Sequence, residues 1–427
     1  MPLLLPDGVT LMAEIALTSA TGQAGIWDVS LWDSAIWGAG ETWEDVSAYV
    51  RSVDTSRKFS RDLRSWSAGS ATVILNNVDG RFSPDNISGP YTAGGITGVR
   101  PGRPMRISLI YAGATYWLFY GYAYSWAESW VAHGPRLGDA LMTVSGKDEW
   151  GRLAKTDGYA VASVGAGELF GQRISRVLDA AGMNAPRDID LGSNTMQATD
   201  LSDAPLTELG VVTASEGGAV WIGADGTFLG RRKYALVEDG RSTTVQATFG
   251  DGGGVEIPWV DIDVAPVTDD MVINIATYKR VGGTDQRYTD PTSRSLYGDC
   301  DDKSPNRDNL VCETDAQAYS LAQWAVATNK DPEARINQLT IKPRCNPTVL
   351  MPQVLGLMIR DLIEVIIRPP SATLHTMTRS CFISGIAMKI SDADMEVKFD
   401  TSAAGVYRAF STSLWDVGLW DEALWLV

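Results

Sequence analysis

The sequence predicts a mainly β protein with an α+β insert, and three observations carry that prediction. Short apolar runs, alternating or β-branched and bounded by Gly, Pro, Asn and Asp, fill 45–150 and return over 236–408. Two runs at helical spacing lie between them, in 151–235. A Trp-Asp motif stands near each end. The chain has 427 residues, 44% hydrophobic and 21% charged. That is enough to bury several cores without disulfides or metals, and it excludes wholesale disorder, collagen and coiled coil. No run of about 18 uncharged apolar residues is present, so no membrane-spanning helix is expected. The first residues, MPLLLPDGVTL, lack the basic start and cleavage site of a signal peptide.

In the first β unit, Ala71–Leu75 reads as a strand and Asp79-Gly80 as a tight turn. The run Arg100-Pro101-Gly102-Arg103-Pro104 introduces the alternating Met105–Ile110. Thr115–Tyr124 and Leu141–Val144 follow, with His133 in a hairpin loop between them. Strands of this length and spacing point to a small barrel or sandwich. In the middle unit, Phe170, Ile174, Val177, Leu178 and Ala181 share one helical face, and Gly182 stops it. Asp203 is expected to cap a second helix with Pro205 in its first turn, the apolar face being Leu206, Leu209 and Val212. A hairpin follows, Ala219–Ile222 and Thr227–Gly230 about Asp225-Gly226. Residues 250–254 read as a Gly-rich loop. In the last unit, Met271–Tyr278, Arg335–Lys342, Leu362–Ile367, Cys381–Ile390 and Met395–Phe399 read as strands. Thr314 with Gln317 forms a capping box before a helix whose face is Ala318, Leu321, Ala322 and Ala325.

The two ends carry a repeat. Ile26–Trp37 (IWDVSLWDSAIW) and Leu414–Trp425 (LWDVGLWDEALW) agree at eight of twelve positions. Trp27, Trp32 and Trp37 match Trp415, Trp420 and Trp425; Asp28 and Asp33 match Asp416 and Asp421. A spacing of five fits neither helix nor strand, so an extended, turn-broken segment is expected. Trp is enriched at interfaces because it joins a large contact area to one N–H. These six Trp are therefore candidates for subunit contact, the alternative being packing on their own domain.

Net charge is −16, from 36 basic and 52 acidic residues. This argues against a nucleic-acid grip, which needs clustered cations. Residues 1–44 hold six acids and no Lys or Arg, whereas 45–106 hold nine bases against five acids. Acidic arms and basic patches on neighbouring subunits would complement each other.

Catalytic chemistry has little to work with. Only two His occur, His133 and His375, and HExxH, GxSxG and P-loop motifs are absent. Gly165-Ala166-Gly167 is a fragment of a phosphate loop and reads as an ordinary helix connection. The acidic run Asp299–Asp302 fails the EF-hand spacing. Paired carboxylates for a hydrolase are a spatial matter that 52 acids leave open. Cys300, Cys312, Cys345 and Cys381 form no CxxC pair. Free thiols are the expectation, with a Cys300–Cys312 disulfide and a four-Cys iron–sulfur site as alternatives. No other cofactor and no metal is expected.

Four stretches in fixed order resemble the minor tail proteins of long-tailed bacteriophages, of the tail-hub or baseplate-hub type. They are ATVILNNVDGRFSPDN with VRPGRPMRISLI; GQRISRVLDAAG through GGAVWIGADGTFLGRRK; DDMVINIATYKRVGGTDQRYTDPTSRSLYGD with ETDAQAYSLAQWAV and ARINQLTI; and VLGLMIRDLIEVIIRPP with CFISGIAMKI. The resemblance implies two β-barrel-like domains (45–150 and 236–408) flanking a small α+β domain (151–235), with Trp-rich arms within 1–44 and at 409–427. It implies a structural ring, a homotrimer in most such proteins, at the virion tail tip. Its partners would be other copies of itself, the distal tail protein, the tape-measure protein and a central fibre or spike, with DNA passing the lumen without specific binding during genome ejection. No stable membrane insertion is implied. The sequence stops at Val427 without a fibre or enzymatic extension, so receptor-binding or peptidoglycan-cleaving activity is expected on another protein. A distal tail ring or a receptor- or glycan-binding tail component is the alternative, and a cell-wall hydrolase a more distant one.

Overall fold

The computed structural model of the chain describes residues 3–18, 42–59, 65–93, 96–133, 136–158, 163–264, 272–332, 335–370, 375–392, 394–405 and 407. Its dominant element is a 13-stranded, mostly antiparallel sheet. Across it the order is Asp261–Val264, Ile336–Ile341, Met395–Ala403, Met377–Ser391, Val50–Phe59, Trp66–Asn76, Arg136–Lys147, Ala114–His133, Arg103–Tyr111, Val9–Thr18 and Thr42–Asp45. Leu362–Ile367 branches off Met377–Ser391, and Val245–Phe249 pairs parallel to it.

Most predicted strands of the two β regions lie inside these elements, several of them longer than expected, but Arg335–Lys342 overruns Ile336–Ile341, and of Met271–Tyr278 only Ile275–Tyr278 is strand, in a separate two-stranded sheet with Gln286–Thr289. Ala114–His133 continues past Tyr124, and His133 pairs with Arg136 at the end of the strand. Just past Asn76, which pairs with Leu141, Asn77 N–H still donates to Ala140 O at 2.7 Å.

The two barrel-like domains are not closed barrels among the described residues. The amino-terminal half ends on Val50–Phe59 at one edge and Thr42–Asp45 at the other. Only the short helix Ser47–Tyr49 separates these strands in sequence, so closure would join them. That edge of Val50–Phe59 is instead taken by Gly385–Ser391, in register with Ser52–Lys58. The two β regions thus share one sheet and one apolar core. Val53, Val73, Met105 and Ile107 from the first pack in the same cluster as Ile336, Leu339, Val397 and Phe399 from the second. Each such fully buried side chain contributes about 1.5–3 kcal/mol.

The α+β insert has its own core of Phe170, Ile174, Leu178, Leu209, Val212, Ile222 and Phe228. Helix Phe170–Ala180 ends before Gly182, which lies at φ 66°. Helix Pro205–Glu216 begins at Pro205 as expected, but its cap position is Ala204; Asp203 does not cap it. Gly217, at φ 71°, ends it. The hairpin Ala219–Ile222 with Phe228–Arg231 gains a parallel third strand, Arg187–Ile189, too short and polar to show in the sequence. The capping box is present: Gln317 N–H donates to Thr314 Oγ1 at 3.3 Å, and Thr314 N–H donates to Gln317 Oε1 at 3.0 Å. The helix it opens, Asp315–Asn329, packs its predicted face on the hairpin Ile275–Tyr278 with Gln286–Thr289.

Candidate functional site

The predicted contact residues Trp27, Trp32, Trp37, Trp415, Trp420 and Trp425 lie outside the described residues. Of the other nine Trp, four gather where the α+β insert meets the sheet. Trp66 opens the strand Trp66–Asn76, and Trp150 sits in the short helix Glu149–Leu153. Trp221 lies in the fully buried strand Ala219–Ile222, and Trp324 in the helix Asp315–Asn329. Edge-on rings join them to their neighbours: Phe59 lies 5.0 Å from Trp66 and 5.4 Å from Trp221, and Trp324 lies 5.4 Å from Tyr234 and 6.1 Å from Tyr407.

This seam also holds buried charge. Asp148 is 2% exposed; its carboxylate accepts from Gly69 N–H at 2.7 Å and caps the Glu149–Leu153 helix through Gly151 N–H at 3.4 Å. Burial pushes its pKa from 3.8 to about 7. Desolvation also lowers the half-buried Arg57 guanidinium to about 10, against the pull of Asp148 and Asp225.

Arg360 is the least ordinary residue here. It stands at φ 74°, a conformation rare outside glycine, and is 6% exposed. Its backbone is held on both sides: its N–H donates to Ile383 O at 2.7 Å, and its carbonyl accepts from Ser242 Oγ at 3.1 Å. Its Cζ lies 5.5 Å from the Trp221 ring, while Nη1 is buried without a hydrogen-bond partner among the described residues. Burial holds its pKa down at about 10, against the attraction of Asp239.

Arg360 lies between two concavities. The outer groove, about 880 Å³, neutralises itself: Arg241 Nε donates to Asp361 at 2.6 Å, and Arg231 pairs with Asp188. The inner cavity, about 240 Å³, is walled by Trp66, Trp150, Trp324 and Tyr407 and receives Lys233 and Arg360. No carboxylate stands among its described lining residues. Lys233 Nζ, 5% exposed as a residue, donates to Ser320 Oγ at 3.3 Å and lies 4.5 Å from the Tyr234 ring centre. Ser65 and Pro305 in its lining are exposed. Its described lining is aromatic and carries only basic charge, from Arg232, Lys233, Arg307 and Arg360. His, Cys and carboxylate nucleophiles are absent from its described lining.

Sequence reasoning missed this site. Arg360 and Asp361 interrupt the apolar run 355–367, which is the one available signal; Lys233 reads as part of a solvated RRK cluster. The four cysteines are unbridged: Cys312 and Cys381 are buried, Cys300 is half-buried and Cys345 exposed. Among the described residues no three His, Cys, Asp or Glu side chains group as a metal site.

The architecture matches solved structures over almost its whole length. A tail protein from Neisseria meningitidis MC58 superposes with a TM-score of 0.53 at 12% identity, covering 94% of this chain and 98% of that one. The 43 kDa tail protein of prophage MuSo2 from Shewanella oneidensis gives 0.53 at 16% identity, covering 86% and 97%. The chain has a phage tail-protein fold. No family model and no curated protein matches its sequence. The tail-protein fold thus persists at identities where pairwise sequence similarity has faded.

Proposed function

We propose that the chain is a structural protein of a bacteriophage tail: the hub protomer of a ring at the tail tip. The ring closes the tail tube, joins the distal tail ring to a central fibre or spike, meets the tape-measure protein in its lumen, and takes part in host attachment and genome ejection. The observation that carries this reading is the match to two tail proteins over nearly the full length of each chain. The excess of acids over bases, 52 to 36, suits a conduit that DNA passes without adhering. The motifs absent from the sequence and the cavity's lining suit a role without bond-making. The Trp-Asp arms are the proposed grips between copies, because a ring of identical subunits needs heterologous contacts.

Multi-angle light scattering of the full-length chain tests this. A discrete oligomer, three times the 46.1 kDa chain mass for a trimer, is the expected result. A monomer at micromolar concentration, together with absence of the chain from purified phage particles, would overturn it.

A further inference from the structure

The outer groove differs from the inner cavity in its balance of charge. At about 880 Å³ it falls within the range of ligand sites, roughly 300–1,000 Å³. Its described lining holds four Arg and four Asp, with no Lys, Glu or His. Each Arg is matched by an Asp. Arg241 Nε donates to Asp361 Oδ1 at 2.6 Å, and Arg231 Nη2 to Asp188 Oδ2 at 2.5 Å. Arg57 is drawn by Asp148 and Asp225, and Arg360 by Asp239. A charged ligand would have to break into these pairs and leave one member of a pair uncompensated. A neutral ligand would not.

The pairs still leave hydrogen-bonding capacity open. The Asp188 side chain is 63% exposed although it is paired. Asp225 is exposed as well, and each of its oxygens accepts one bond, from Thr227 N–H at 3.1 Å and from Thr227 Oγ1 at 2.9 Å. A carboxylate oxygen has room for a second. Next to these acceptors stands an open indole. Trp117 is 37% exposed, and its ring centre lies 5.9 Å from Arg106 Cζ, which Glu14 fixes through bonds of 2.7 and 2.9 Å. The turn Asp225-Gly226 rests on Tyr120, a Cβ at Gly226 lying 2.6 Å from Tyr120 Cδ1, so Asp225 is seated against the strand that carries Trp117.

This combination selects a ligand class. A hydroxyl donates to a carboxylate without bringing charge of its own. A sugar ring carries several hydroxyls around a face of C–H groups, and such a face covers an indole as an apolar surface does. A peptide would press apolar side chains on paired charges and desolvate them without return.

We propose that the outer groove is a binding site for a neutral saccharide. The apolar face of the sugar stacks on Trp117, and its hydroxyls donate to Asp188 and Asp225. This goes beyond the ring role and does not depend on it.

Saturation-transfer NMR and calorimetry on the full-length chain test the proposal. Maltotriose and tri-N-acetylchitotriose are the neutral probes, trigalacturonic acid is the charged one, and a capped tetraserine is the peptide. At least one neutral probe is expected to bind with a Kd below about 10 mM, more tightly than the charged probe or the peptide. W117A and D188N are each expected to weaken that binding about tenfold, a loss of about 1.4 kcal/mol. Should W117A fail to fold by circular dichroism, D188N carries the test, because its carboxylate is mostly exposed. W130A, at an exposed Trp outside the groove, is expected to bind like the parent. Absence of binding by both neutral probes overturns the proposal, and so does tighter binding of trigalacturonic acid or of the peptide. Parent-like binding by D188N, or an equal loss in W130A, overturns the groove as the site.

Discussion

Arg173 shows how this chain satisfies a buried charge. It is fully buried, pairs with Glu168, and donates to Thr199 Oγ1 at 3.0 Å, to Gly165 O at 2.8 Å and to Gln197 O. Arg173→Met would take this donor from two carbonyls and from Thr199, while Glu168 keeps Arg176 at 3.0 Å, with an expected loss of about 1–3 kcal/mol in urea unfolding. The Arg360 side chain has no such set of partners among the described residues. Asp148 gives a pH signature. Its folded pKa of about 7 lies above the ordinary 3.8, so the folded state holds the proton to higher pH than the unfolded chain. The stability it contributes is complete below pH 4 and is lost as pH rises through 7, by roughly 3–4 kcal/mol. Asp148→Asn removes that dependence. The variant is expected to be less stable than the parent at pH 4, having lost one of the two N–H bonds, and to gain on it steadily up to pH 8. Parallel stability curves from thermal melts across that range would contradict the assignment. None of these buried charges was legible in the sequence, because Arg and Asp read as solvated until the fold surrounds them.

Elements whose signals are local were legible; elements set by distant partners were not. Helix Asp315–Asn329 announces itself through Thr314, Gln317 and a face of small apolar residues. Thr314→Ala should cost about 1 kcal/mol, measurable in denaturant titration. Strand Met377–Ser391 was visible as a strand, but its role was not. It pairs with Leu362–Ile367 near its start and Val50–Phe59 near its end, with Met395–Ala403 along most of its length. The pairing to Val50–Phe59 spans more than 300 residues of sequence, and no local pattern encodes it. Gly385 sits at the irregularity where the strand changes partners; a Cβ there would lie 2.7 Å from Lys58 Cβ and 3.0 Å from Asp400 Oδ2. Gly385→Val should therefore loosen the joint between the two β regions. We expect a loss of about 2–4 kcal/mol and faster amide exchange in Val50–Phe59 and Gly385–Ser391 than in helix Phe170–Ala180. Equal acceleration in all three would show that Gly385 is not a local joint.

At the scale of the molecule, the order of β, α+β and β regions was readable from composition and periodicity. The sharing of one sheet and one core was not. Closing two barrels would have used every strand edge locally; lending the free edge of Val50–Phe59 to Met377–Ser391 joins the two β regions in one sheet over one apolar core. The central claim is that the chain works as a ring protomer at the tip of a phage tail, and electron microscopy of purified tails decorated with an antibody to it tests that most directly. Label confined to the tip, on a ring of copies, is the predicted result. Tails that carry the chain along the shaft or above the tip, or tails that lack it altogether, would contradict the account.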